Sequence, residues 1–198
     1  MPPLTVLSSS RFSTVGAPSA LALAGHLYYE VTLIVVGECP QVGWATAEFN
    51  NIDQAIEGYG VGDCAHSWGA DGARQIKWHD GQAPWPVEWR DGDVVGVAAD
   101  ASAGRLLFAR NGTWDETFTI TPGTGIYPAF STDSSTFVVN LGDEPFRYPP
   151  PEGFQPVSLV GHDLVLLRGP PLHVPSVAMT ELMVACKREH GANVELRL

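Results

Sequence analysis

Residues 92–114 read GDVVGVAADASAGRLLFARNGTW. Two β-strands and two tight turns account for nearly the whole stretch. Val94 to Ala99 is a short apolar run rich in valine, closed off by Asp93 and Asp100, and RLLFAR is a second run beyond the small residues ASAG. Asn111-Gly112 then supplies two residues that tolerate positive φ, the signature of a tight reversal. Asp at the ends of such a strand satisfies the free amides of the turns, so Asp93 and Asp100 are read as structural acids.

The same rhythm extends in both directions. Upstream, Leu4 to Leu7 and Phe12 to Val15 are short β-prone runs. Leu27 to Val36 is a long strand whose only charge is Glu30. GECP breaks it before QVGWATA resumes. The stretch EFNNIDQAIEGYGVGD is polar and glycine-rich and reads as a surface loop. Two strands flank Asp71-Gly72, and GQAPWPVEW is a proline–tryptophan loop. Downstream, GIYPAF and TFVVNLG are separated by the small polar residues Ser131 to Ser135, and PFRYPPPEGF closes the series. Short strands at regular spacing with turn signals between them predict an all-β fold, an antiparallel two-sheet sandwich. The end of the chain differs. Ser176 can cap a helix, Glu181 suits its first turn, Lys187, Arg188 and His190 suit its last, and Gly191 stops it. The predicted organisation is a sandwich over 1–156, a linker or extra strand over 157–175, and a short C-terminal helical segment over 176–198.

Composition narrows the function. The chain has 198 residues, 44% hydrophobic and 17% charged, which is globular. A formal net charge of -11 disfavours binding to nucleic acid or to anionic membrane leaflets. Three cysteines suit free thiols in a reducing compartment better than a disulfide framework. The opening MPPLTVLSSSRF lacks the charged and apolar regions of a signal peptide. The expected setting is cytoplasmic or nuclear.

Seven segments in order resemble the SPRY domain family: GHLYYEV, QVGWAT, GVGDCAHSWGADG, WRDGDVVGVAAD, AGRLLFARNGTW, GIYPAFS and VVNLGDEPFRYPPPEGF. The resemblance spans Leu4 to Phe154 and is greatest to the SPRY modules of large intracellular channels and giant ubiquitin ligases. It implies a bent, concanavalin-like sandwich without catalysis or cofactor, binding a peptide or protein partner with loops at one end. TELMVACKREHGANVELRL also resembles the start of an ankyrin repeat, and the chain is expected to be monomeric or part of a larger multidomain protein.

The candidate partner-binding residues follow from that resemblance and from the loop chemistry. They are Phe49, Asn50, Asn51 and Tyr59 in the long loop, Trp85 in the proline–tryptophan loop, and Asp133 and Ser134 in the late turn. Loop aromatics and asparagines are typical recognition groups. The bland reading of each is a solvated loop or, for Trp85 and Trp89, a ring covering the sandwich edge. Trp44, Trp68, Phe108, Tyr127, Phe130 and Phe137 are expected in the core. Cys64 and His66 share a strand face but find no further ligands at metal-binding spacing, and no catalytic or metal set is assigned. Two alternatives stand beside protein recognition. One is a carbohydrate-binding sandwich using Trp85 as a stacking platform. The other is a purely structural domain of a larger assembly or ubiquitin-ligase adaptor.

Overall fold

The computed structural model describes residues 4–8, 12–49, 59–157, 164–167, 184–185 and 193–197. In chain order the strands are β1 (Leu4–Ser8), β2 (Ser13–Gly16), β3 (His26–Val35), β4 (Gln41–Ala45), β5 (Ser67–Asp71), β6 (Ile76–Trp78), β7 (Gln82–Pro84) and β8 (Val94–Asp100). They continue with β9 (Arg105–Arg110), β10 (Thr113–Thr119), β11 (Tyr127–Thr132), β12 (Thr136–Asn140), β13 (Gln155–Pro156), β14 (Val165–Leu166), β15 (Val184–Ala185) and β16 (Asn193–Arg197). One sheet runs β10-β9-β8-β3-β12-β1-β16-β15, with β13 beside β3, and the other runs β14-β2-β11-β4-β5-β6-β7. Pairing is antiparallel except for β16 beside β1 and β13 beside β3.

The opening stretch folds as its residues dictate. Val95, Val97 and Ala99 of β8 turn inward with Leu106 and Phe108 of β9, while Tyr29, Val31 and Leu33 of β3 continue the same layer. The facing layer is Val15, Val42, Trp44, Trp68, Ala70 and Phe130. Alternate positions of each strand therefore meet between the sheets, as sandwich packing requires. Tyr29 crosses that interior. Its ring lies edge-on to Trp44 and Phe130, with centroids 5.1 and 5.5 Å away, and its hydroxyl donates to the Gly43 carbonyl at 2.5 Å. Burial alone raises its phenol well above the ordinary value, so it stays a donor. Asp93 and Asp100 hold turns as expected: Asp93 accepts from the Arg90 amide and from Asn111, and Asp100 accepts from the Ala103 amide.

The outer faces of the two sheets are also covered. Over the first lies the proline-rich segment after β12, latched by the buried Glu30. Its carboxylate accepts from the Tyr28 hydroxyl and from the amides of Arg147 and Tyr148, each at 2.8 Å. Over the second runs the strap 59–63. Val61 N–H donates to Ser131 Oγ at 2.8 Å, and Thr14 Oγ1 donates to the Tyr59 carbonyl at 3.0 Å. Each hydroxyl has one proton, so Ser131 must donate to Thr14 across their 2.9 Å contact. Glycine is required beneath the strap, since a Cβ on Gly69 would stand 2.1 Å from the Val61 carbonyl.

In the C-terminal tail, Val184–Ala185 pairs with Asn193–Arg197, which lies alongside β1; the rest of the segment in which a helix is expected, 176–183 and 186–192, lies outside the described residues. The alternation of Val194 and Leu196 is a period of two, as a strand at 193–197 requires. Most of the ankyrin-like stretch lies outside the described residues.

Candidate functional site

The register of β11 and β4 defines two ends of the second sheet. Tyr127 faces Ala45 at one end and Ser131 faces Gln41 at the other. The late turn leaves β11 at the Gln41 end. Three connections converge there through backbone-directed bonds. Ser135 Oγ donates to the Val36 carbonyl at 2.5 Å, the Glu38 amide donates to the Asp133 carbonyl at 3.2 Å, and the Val36 amide donates to Asp91 Oδ1 at 2.9 Å. Three positions in this weave adopt left-handed backbone: Gly37 at φ 70°, Gly92 at φ 86° and Ser134 at φ 56°. A Cβ on Gly37 would stand 2.3 Å from Ser135 Oγ, so the turn and the 36–40 segment pack too closely for any other residue.

The strap joins the same end. The Tyr59 carbonyl is tied to Thr14, next to the late turn, and Asp63 accepts from Gln41 Nε2 at 2.9 Å and from the Gly60 amide at 2.7 Å. Beside it, Asp71 and Arg74 form a bonded pair, Nε to Oδ2 at 2.5 Å, with the carboxylate fully buried and the guanidinium over the Trp78 ring. Burial lifts the Asp71 carboxyl above its ordinary value, and the Arg74 amide and guanidinium pull against that rise. Burial likewise raises the Cys39 thiol; Arg74 opposes the rise, while Asp71, Asp133 and Glu38 add to it.

The sequence-predicted residues do not all meet. Asp133 and Ser134 form the late turn, with the Ser134 hydroxyl donating to Asp133 Oδ1 at 3.2 Å, and Tyr59 is half-buried on the adjoining strap. Phe49 packs instead against Ala45, Val61, Tyr127 and Ala129, towards the opposite end of the sheet. Asn50 and Asn51 lie outside the described residues. Trp85 needs correction. Its ring is 2% exposed, stands edge-on to Trp89 and Phe108, and its indole N–H donates to Asp115 Oδ2 at 2.9 Å. A large apolar ring whose polar edge finds an internal acceptor gains more from the core than from solvent, so Trp85 offers neither an exposed anchor nor a platform for sugar stacking.

A family model for the SPRY domain matches residues 26–144, which takes in β3 through β12 and the whole of the late turn. The chain belongs to the SPRY domain family. Such domains are generally protein-interaction modules without catalysis of their own. This SPRY chain is also 38% identical over 163 residues to the E3 ubiquitin-protein ligase RKP of Arabidopsis thaliana, a match that covers 79% of the chain and 12% of that ligase. The chain thus spans only a small part of the relative's length.

Sequence reasoning missed Ile34, Val35, Glu38 and Asp91 at this end. Ile34 and Val35 are 48% and 43% exposed. The signal was legible: LIVV, at the end of β3 and one residue past it, is four apolar residues in a row, more than a strand with alternating faces can bury. Among the described residues, no three His, Cys, Asp or Glu side chains stand close enough to hold a metal ion, and no helix is long and apolar enough to cross a membrane.

Proposed function

We propose that this SPRY domain is a non-catalytic recognition module that grips a peptide or protein partner with the late-turn end of the sandwich. One observation carries the reading: segments 36–40, 59–63, 90–93 and 131–135 come from distant parts of the chain and converge there on a rigid sheet end. Loops held by a rigid scaffold are the usual carriers of recognition, and preordered ones lose less entropy on binding. Tyr59, Asp133 and Ser134 are the contact residues of this proposal. The setting we propose is intracellular, alone or within a larger ligase-type assembly.

Screening the purified chain against a peptide array and a glycan array tests this. We expect saturable peptide binding, weakened about tenfold or more by Ser134→Arg at the centre of the face and unchanged by Thr124→Arg at the opposite end. Glycan binding, or peptide binding that Thr124→Arg abolishes and Ser134→Arg spares, contradicts it, as does binding to neither array.

A further inference from the structure

The end of β3 is an exposed apolar ledge. Ile34 and Val35 stand 48% and 43% exposed on a strand whose backbone is fixed by its neighbours. The ledge is held by two segments: from one, the Gly92 amide donates to the Leu33 carbonyl at 2.6 Å and Asp91 accepts from the Val36 amide; from the other, Ser135 donates to the Val36 carbonyl. Those same segments carry Glu38, Asp91, Asp93 and Asp133. Arg110 lies 3.9 Å from Asp93, and Arg90 is paired with Glu88 at 2.9 Å. Among the described residues, Glu38, Asp91 and Asp133 have no cation within ion-pair distance. The segments bonded to the end of β3 thus bring three carboxylates without an ion pair among the described residues to the same end of the sandwich as two exposed aliphatic side chains.

We propose that this ledge selects a segment of a partner protein in which an aliphatic or aromatic residue is flanked by lysine or arginine. The inference rests on the recognition role argued above and names the chemistry of the partner. The apolar residue covers Ile34 and Val35, and burying that surface supplies the attraction. The flanking cations face Glu38, Asp91 and Asp133, which reject acidic segments and speed encounter with basic ones. The charges stay at the rim, where they keep their hydration and set selectivity more than affinity.

The test is an array of random-sequence short peptides probed with the native chain, followed by titration of the selected peptides. Selected sequences are expected to pair a basic with an apolar residue, and their affinity for the native protein falls as salt is raised. The double change I34S/V35S, on exposed side chains, weakens binding about tenfold or more. The reversal E38K/D133K does the same and inverts the salt dependence. Selected peptides without basic residues, or basic–apolar peptides indifferent to salt and to both double changes, overturn this inference. The recognition role survives that result if Ser134→Arg still abolishes binding; an array with no bound peptide overturns both.

Discussion

At the scale of single residues, Asp71 shows how burial and pairing oppose each other. Its carboxylate is fully buried, and Arg74 supplies both an amide and a guanidinium. Desolvation is the larger effect, so the carboxyl sits above its usual value of 3.8. A raised acid keeps its proton in the folded protein at pH values where the unfolded chain has lost it. The contribution of Asp71 to stability is therefore complete below 3.8, declines as pH rises through the window just above it, and is flat beyond. Asp71→Asn removes that titration. Urea melts of the two proteins should show the native chain gaining on D71N below pH 3.8 relative to neutral pH; a gain in the opposite direction would contradict the account. The candidate residues tell a related story. Asp133 and Ser134 were legible as a small polar turn between two strands. The burial of Trp85 was not, because its acceptor Asp115 lies on a different hairpin 30 residues away.

The elements were the most readable level. The alternation and turn residues of 92–114 give β8, β9 and the Asn111-Gly112 turn, whose Asn adopts φ 51°. Less readable was what covers the sheets from outside, since coverage depends on long-range bonds. Glu30, the only charge in β3, is the example. In sequence it marks a polar face; in the structure it latches the segment carrying Phe146, Arg147 and Tyr148 over that face. Glu30→Ala would leave the part-buried amides of Arg147 and Tyr148 without their charged acceptor, a loss of about 3 kcal/mol. Thermal unfolding of E30A should fall accordingly, with faster amide exchange at Arg147 and Tyr148. A melt within a degree or so of the native protein would mean that the latch contributes nothing. The described part of the C-terminal tail shows why its helical reading was weakly supported in sequence. A short amphipathic run is a weak helix without tertiary support, and the strand alternation of Asn193–Arg197 finds a partner in β1.

At the scale of the molecule, the two sheets bury the aromatic residues and leave their connections to act together at one end. The net charge of -11 acquires a local meaning there, in Glu38, Asp91 and Asp133, which have no ion pair among the described residues and sit on segments at the same end as Ile34 and Val35. Partner recognition is consistent with the way SPRY domains generally work, and the sandwich itself is common to many functions. The most direct measurement is hydrogen exchange across the whole chain with and without a peptide selected from the array. Slowed exchange confined to segments 34–40, 59–63, 90–93 and 131–135 is the predicted result. Protection instead at the opposite end, around Thr46, His66 and Thr124, would contradict it.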